Sequence, residues 1–261
     1  FNAPANYWDG ASIIVKHLLD LHGGSLEGKK IALLYHNSAY GKEPIRTLQE
    51  LAKKHKFELI EVPVDPAAGQ EQKSQWLQIR RDKPDNVIIY GWGVMNQAAI
   101  QEAANVRYPM DQIVGIWWSG SEVDVTPAGA GANGYKALTF HGAGKDYPIY
   151  ADLQKYVMDP GKASQGGANA GTVLYSRGMY AAVVIAEAIG GSEEDFARMM
   201  TRKARALGMS RTTYRNASGL PNDEQITTAR DQSTLGRAIQ DRFPRYYRYF
   251  STTAFNFRGH T

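Results

Sequence analysis

Aromatic and hydrogen-bonding side chains collect in three stretches of the sequence, each beside a run of apolar residues. Tyr40 and Trp92 follow two such runs, and a third run leads into Trp118, Ser119 and Glu122. Tyrosine and tryptophan combine a broad apolar face with a polar tip, while serine and glutamate supply hydrogen-bonding groups. This combination suits a small organic solute that has an apolar body and a polar handle. We predict that these five residues bind a ligand.

A structural interpretation of the same residues stays open. Every doubly wound sheet needs turn and capping residues where its strands end. Under that interpretation the two tryptophans belong to the hydrophobic core, and the polar residues only cap helices.

The sequence offers few other reactive groups. It contains no cysteine, which excludes a disulfide, a thiolate metal site and a cysteine nucleophile. The six histidines form no HExxH motif and no close pair, so we expect neither a metal nor a cofactor. Residues 23–30 (GGSLEGKK) nearly match a phosphate-binding loop, but a lysine replaces its hydroxyl residue and its glycines precede a strand.

Length and composition are those of an ordinary soluble chain. The 261 residues suffice for one α/β domain or two small ones, and 43% of them are hydrophobic while 21% are charged. No uninterrupted apolar run, including the one that contains residues 181–185, approaches the roughly 20 residues that span a bilayer. We therefore do not expect membrane insertion. Because the first residue is phenylalanine, we interpret the chain as a processed product or a fragment.

The last 70 residues are the basic part of the chain. Residues 192–261 hold twelve basic and seven acidic residues, a net charge of +5, whereas the whole chain carries +4. This shift indicates two origins for one chain. Residues 242–250 (RFPRYYRYF) alternate arginine with aromatic residues, which suits stacked bases or an anionic membrane face. We favour a β-edge segment that packs on its own domain, and we expect no nucleic-acid partner.

Apolar runs alternate with helical periodicity over the first part of the chain. The runs predict strands at residues 30–35 (KIALLY), 57–62 (FELIEV), 86–90 (NVIIY), 112–118 (QIVGIWW) and 135–140. Apolar spacings of three and four predict helices at residues 40–56, 70–80 and 95–104. This order implies the α/β class, with a doubly wound, mostly parallel sheet whose ligands bind beyond the carboxyl ends of its strands.

The C-terminal extension is predicted to be mainly helical. One helix is expected at residues 193–207, ended by Gly208. Thr228 followed by Asp231 predicts a capped start for a second helix that runs to residue 239.

Several consecutive segments resemble one known family, among them NYWDGASIIVKHL, GKKIALLYHNSAYGKEP, IVGIWWSGSEVDV and VLYSRGMYAAVVIAEAI. Over residues 1–189 the chain resembles the type I periplasmic solute-binding proteins of branched-chain amino acid ABC importers, especially the subgroup for aromatic or hydrophobic carboxylates. The resemblance implies two lobes that close on a ligand, a membrane permease as partner and a periplasmic location. It places Glu122 where the ligand ammonium is held, and Tyr40 and Trp92 at the cleft. It also implies that most of the first lobe would precede this chain.

Residues 181–261 resemble a second family, the serine D-alanyl-D-alanine carboxypeptidases, through the linked strings NASGLP and TTARD. The string AxxxAEAI is common to both families, so a junction within residues 181–189 would leave the helix uninterrupted. Catalysis in the second family requires the motifs SxxK, SxN and KTG. None of these motifs occurs in the 261 residues. The resemblance therefore implies a carboxypeptidase segment without its acylating groups.

The sequence thus predicts a chimeric chain, with a solute-binding lobe at residues 1–189 and a carboxypeptidase-like fragment at residues 190–261. The expected function is solute binding in an ABC importer of branched-chain amino acids or small hydrophobic or aromatic carboxylates. Half a cleft leaves one ligand face in water, so we expect an affinity of about millimolar or weaker. The alternative is a carboxypeptidase of peptidoglycan remodelling, expected to be inactive. The apolar helix at residues 170–189 leaves self-association into a homo-oligomer open.

Overall fold

A computed structural model describes residues 5–159, 167–217 and 222–247. The chain divides into two compact units, one of Phe1–Gly144 with Gly171–Ser176 and one of Lys145–Ala170 with Arg177–Thr261. The domain boundary predicted at residue 189 lies inside the second of these units, and it stays a prediction.

The first unit is built on a five-stranded parallel sheet. Its strands have the spatial order β2-β1-β3-β4-β5. They are β1 (Lys30–His36), β2 (Glu58–Val64), β3 (Asn86–Tyr90), β4 (Ile113–Gly115) and β5 (Lys136–Ala137). The predicted α/β class with a doubly wound parallel sheet is thereby confirmed.

The described part of this unit holds six complete α-helices, and four of them cover the sheet. They are α1 (Tyr7–Leu21), α2 (Ala39–Lys42), α3 (Ile45–His55), α4 (Lys73–Asp82), α5 (Val94–Asn105) and α6 (Glu122–Val125). Along β1, Ile31 and Leu33 face α1 and α3, whereas Ala32 and Leu34 face α4 and α5. Both faces are therefore buried, which is why β1 and β3 are continuous apolar runs.

The predicted helix at residues 40–56 is wrong as a single element, because the structure has α2 and α3 there instead. Pro44 lies between them and has no N–H for the ladder of a continuous helix. The short α2 brings Tyr40 back against the end of β1, and Gly41 lies so close to the His36 carbonyl that a Cβ would overlap it.

The predicted strand at residues 112–118 is too long. Pairing continues through the Ile116 amide, which donates to the Ile89 carbonyl at 2.9 Å, but the chain then turns. The Ser119 amide donates to the Ile116 carbonyl at 2.7 Å, so Trp117 and Trp118 lie in a turn beyond the strand. The strand predicted at residues 135–140 is likewise reduced to β5.

The helix α1 was not predicted, although the sequence holds its start signal. Asn6 and Asp9 form a reciprocal capping box, with backbone-to-side-chain distances of 2.9 and 3.1 Å. Gly10 brings the helix close to the sheet, since a Cβ there would lie 2.7 Å from Ile116 and 2.8 Å from Trp117.

The second unit is mainly helical where it is described. It contains α7 (Pro148–Leu153), a π-helical turn at Gln154–Met158, α9 (Glu193–Ala206), α10 (Ala229–Arg242) and α11 (Pro244–Tyr247). An isolated antiparallel bridge joins Thr213 and Ile226. The β-edge interpretation of residues 242–250 is wrong for residues 244–247, which are helical, and residues 248–250 lie outside the described part.

The helix α8 (Val173–Gly190) begins in the first unit and continues into the second. Among the described residues it is the one helix long and apolar enough to cross a membrane, judged by length and composition alone. Leu174, Ile185 and Ile189 each expose about half of their surface. Core helices of soluble proteins can have the same length and apolar composition, so the expectation of no membrane insertion stays a prediction.

Candidate ligand-binding site

The carboxyl ends of β1, β3 and β4 lie side by side in the first unit. Tyr35 at the end of β1 is in register with Tyr90 at the end of β3, and Ile89 is in register with Gly115 of β4. The loops that follow these strands therefore meet at one edge of the sheet. This edge is where a doubly wound fold places its ligand.

The three aromatic residues predicted for the site lie in one row at this edge. The ring centroids of Tyr40 and Trp92 are 6.2 Å apart, and those of Trp92 and Trp118 are 5.0 Å apart. Both pairs are edge-to-face, with interplanar angles of 70° and 68°. We call Tyr40, Trp92 and Trp118 the aromatic row.

The sequence analysis missed Tyr7, which lies behind this row. Its ring is 5.0 Å from Tyr40 and is stacked on Trp117 at 5.2 Å, with an interplanar angle of 18°. The indole N–H of Trp118 donates to the Tyr7 hydroxyl at 2.9 Å, and the Tyr90 hydroxyl donates to the Tyr7 carbonyl at 3.0 Å. Tyr7 thus fixes the orientation of two members of the row. The capping box at Asn6, which sets its position, was the signal available in the sequence.

The members of the row differ in exposure. Trp92 exposes 53% of its surface, Trp118 is half-buried, and the neighbouring Trp117 is buried. The core interpretation therefore fits Trp117 but not Trp92. An exposed indole face at the end of a buried strand is available for contact with a solute.

Tyr40 acts in this site as a neutral phenol. Burial raises the pKa of Tyr40 well above its ordinary value, and the neighbouring phenol of Tyr7 raises it further. Its hydroxyl donates to the Gly91 carbonyl at 3.1 Å. Tyr40 is thus held in place by the loop that carries Trp92, and it does not act as a base near neutral pH.

Ser119 is completely buried, together with Asn96 from α5. The Ser119 hydroxyl donates to the Asn96 side-chain oxygen at 3.0 Å, and the Asn96 amide donates to the Trp118 carbonyl at 2.7 Å. Gly91 lies against the same amide group, where a Cβ would overlap it. This geometry gives Ser119 a role in joining the loops. The ligand contact predicted for Ser119 stays a prediction.

Glu122 is exposed at the first position of α6. Its two carboxylate oxygens accept the backbone N–H of Val173, at 3.0 and 3.1 Å. Val173 is the first residue of α8, and a carboxylate is favourable at that end of a helix. The carboxylate therefore caps α8 in the structure, and its predicted contact with a ligand ammonium stays a prediction.

His36 lies at the end of β1, next to the row. Its ring centroid is 6.4 Å from Tyr40, and its Nδ1 is hydrogen-bonded to the Ser38 hydroxyl at 2.8 Å. Burial lowers the pKa of His36 below its ordinary value. The imidazole is therefore neutral near pH 7, and it adds hydrogen-bonding capacity without charge.

Metal ligation finds no support in the part of the chain that the structure describes. No group of three or more His, Asp or Glu side chains converges there. The site is instead a surface of aromatic rings backed by hydrogen-bonded loops.

Comparison with known proteins identifies two relationships. Residues 149–261 match the D-alanyl-D-alanine carboxypeptidase family, starting ahead of the predicted residue 181. The D-alanyl-D-alanine carboxypeptidase DacC of Escherichia coli (strain K12) is 33% identical over 101 residues, which are 38% of this chain and 25% of that protein. The chain thus spans about a quarter of the length of this curated relative.

Several structural neighbours come from ABC transporters. A crystal structure described as an ABC transporter permease from the Pseudomonas fluorescens group has a TM-score of 0.63 and 31% identity, covering 96% of this chain and 69% of that chain. A branched-chain amino acid ABC transporter protein from Thermus thermophilus, solved with bound valine, has a TM-score of 0.53 and 14% identity. That alignment covers 88% of this chain and 67% of the Thermus chain.

The parallel sheet, the site at its carboxyl edge and these neighbours define a binding-protein fold. The chain belongs to the type I periplasmic binding proteins of ABC transporters, and it carries a carboxypeptidase-like segment at its C-terminal end. Both resemblances predicted from the sequence are confirmed.

Proposed function

We propose that the first unit binds a small hydrophobic or aromatic carboxylate, or a branched-chain amino acid, as the solute-binding component of an ABC importer. The observation that carries the proposal is the aromatic row with its half-exposed Trp92 at the edge where the parallel strands end. Rings packed edge-to-face form a rigid apolar wall, which costs little conformational entropy when a flat ligand binds.

The polar end of the ligand has a separate partner in this proposal. The helix α5 has Gly93 as its N-cap, directly after Trp92. The N–H groups of Met95 and Asn96 donate to the backbone carbonyls of Trp92 and Gly93, at 3.3 and 3.0 Å, so the helix dipole provides the attraction for an anion at this end. The amino end of a helix favours an anion. A carboxylate placed there would leave the apolar body of the ligand against Trp92.

The proposed affinity is low, about millimolar or weaker, because the row covers one side of the ligand and Trp92 remains largely in solvent. Valine in the Thermus structure is consistent with the ligand class.

Fluorine NMR with 4-fluorobenzoate tests this proposal, since the line broadens when a small fraction of the ligand is bound. Trp92→Ala is expected to weaken binding about 5- to 10-fold, in line with the loss of one aromatic contact. Trp8→Ala is the matched control, because Trp8 also exposes 53% of its surface but lies outside the row. Equal effects of the two substitutions would refute the site, and micromolar binding by the unaltered chain would refute the open, one-sided geometry.

We also propose, from the family relationship, that the chain works in the periplasm and delivers its solute to an ABC permease. The periplasmic resemblance and the neighbours from ABC transporters support this placement. Pull-down of the permease subunits with the immobilised chain, with and without a saturating ligand, tests the partner.

For the C-terminal segment we propose a carboxypeptidase-like structure that forms no acyl-enzyme. Its family match supports the relationship, whereas the absence of SxxK, SxN and KTG from these 261 residues removes the serine, the lysine and the carboxylate-binding strand that acylation needs. A fluorescent penicillin is expected to leave the chain unlabelled while it labels DacC. Covalent labelling that survives denaturation would refute this proposal.

A further inference from the structure

The second unit contains a large apolar groove that the proposed function does not use. The groove lies on α9 and reaches the loop after it and α10, with a volume of about 610 Å³. That volume is within the range of small-molecule binding pockets. Its apolar lining comes mainly from Phe196, Met199, Met200, Leu207, Met209 and Leu235.

The groove is open to solvent along α9, and buried residues form its base. Met199 exposes 39% of its surface, whereas Met209 is completely buried and Ala204 nearly so. The Thr201 hydroxyl donates to the Tyr214 carbonyl at 3.2 Å, which fixes the loop wall against the helix. Methionine side chains adapt their shape to an apolar ligand, and three of them line this groove.

The charged residues that line the groove are all positively charged. Among the described residues that line the groove there are two cations, Arg202 and Lys203, and no carboxylate. In the acidic first turn of α9, Glu194 and Asp195 form ion pairs with Arg198, and Asp195 also interacts electrostatically with Arg202. A cationic rim on an apolar floor favours an occupant that has an apolar chain and a negatively charged end.

We propose that this groove binds a single long-chain carboxylate, with its alkyl chain along the methionines and its carboxylate at Arg202 and Lys203. A flexible alkyl chain fits an open, elongated apolar surface better than a rigid ring does, and Arg202 and Lys203 supply the only charged contacts among the lining residues that the structure describes. This site is independent of the aromatic row, which belongs to the other unit.

Methionine methyl NMR of the full chain tests the proposal directly. The chain has seven methionines. Laurate, titrated below its micellar concentration, is expected to shift the methyl signals of Met199, Met200 and Met209 and to leave those of Met95 and Met110 in place. Each two methylene groups removed from the probe should weaken binding by up to about 15-fold, the effect of full burial. The tryptophans all lie in the first unit, so indole signals serve as a second internal control.

The charge requirement has its own variants and probe. Lys203→Glu is expected to weaken laurate binding at least about 5-fold, the effect of replacing an attractive charge by a repulsive one near the surface. Arg237→Glu on α10 changes the net charge of the protein by the same amount as Lys203→Glu. Arg237 is not among the residues that line the groove, so this control should leave laurate binding unchanged. Unliganded spectra that match the unaltered chain verify that both variants fold.

Three results would overturn the proposal. If dodecyltrimethylammonium, which has the same chain length and a positive head group, bound as tightly as laurate, Arg202 and Lys203 would have no role in binding. The absence of shifts at the three groove methionines would remove the site. Shifts that follow protein concentration instead of laurate concentration would show that a second copy of the chain occupies the groove.

Discussion

Asn96 is the residue on which the geometry of the site depends most, and its replacement by alanine is the most informative perturbation. Its side chain donates to the Trp118 carbonyl at 2.7 Å and accepts the Ser119 hydroxyl at 3.0 Å. These two bonds join α5 to the loop after β4; the bond to Ser119 is buried and the bond to Trp118 is partly buried.

The expected loss of stability follows from these contacts. Removing one partner leaves a buried group unsatisfied at a cost of about 1–3 kcal/mol. The partly buried Trp118 carbonyl loses its bond to Asn96, while the buried Ser119 hydroxyl retains a longer contact of 3.4 Å with the Gly91 carbonyl. We therefore expect Asn96→Ala to lower the free energy of unfolding by about 2–4 kcal/mol, a large part of the 5–15 kcal/mol typical of a domain.

Urea unfolding followed by tryptophan fluorescence measures this loss, because all five tryptophans lie in the first unit. The midpoint should fall by about 1 M or more. Asn105→Ala is the matched control on the same helix, since Asn105 is exposed and bonds only to Glu102; its effect should stay within about 0.5 kcal/mol. A loss below about 1 kcal/mol for Asn96→Ala would refute the reasoning, as a buried amide with two partners cannot be removed so cheaply.

Two further predictions concern the rest of the chain. The pKa of Asp231 lies below its ordinary value, chiefly because the Thr212 hydroxyl donates to the carboxylate at 2.6 Å. The ionised Asp231 carboxylate therefore stabilises the fold fully above about pH 3.8, and this stabilisation is lost as the pH falls through the lower pKa of the folded state. Asp231→Asn and the unaltered chain should differ in urea stability at neutral pH and become equal in acid. A difference that is the same at every pH would contradict this prediction. The exposed apolar residues of α8 predict self-association, so light scattering should show an average mass that rises with protein concentration. Ile189→Glu should return the mass to that of the monomer, whereas the control Ile226→Glu, at an equally exposed position, should not. A monomer at every concentration would contradict that prediction.

The sheet could be predicted because its central strands carry the signal of two buried faces. The run in β1 has no polar residue between Ile31 and Tyr35, and only a strand covered on both sides by helices needs such a run. The members of the aromatic row could be predicted for a related reason. Each follows or ends a strand, and parallel strands bring those positions to one edge.

The supports of the row could not be predicted from local pattern. Tyr7 contacts Trp118 across 111 positions of sequence, and Asn96 reaches Trp118 across 22 positions. Neither contact follows from periodicity, because both depend on how the helices pack on the sheet.

The adjacent tryptophans show the same limit. Trp117 is buried while Trp118 is half-exposed, and this difference arises in the turn that ends β4, where the alternation of a strand no longer applies. The sequence analysis extended the strand through both tryptophans and therefore could not assign their faces. Ser119 lies buried beneath this turn, and its predicted contact with a ligand stays a prediction.

The position of a bound ligand tests the central claim most directly. In proton–nitrogen correlation spectra, the five indole N–H groups report on separate sites of the first unit. Titration with benzoate is expected to shift the Trp92 indole signal most and that of Trp118 next, while those of the buried Trp76 and of Trp8, which lies outside the row, stay unchanged. Shifts that centre on Trp8 or Trp76, or no shift at Trp92 when benzoate is bound, would show that the edge of aromatic rings is not the binding site.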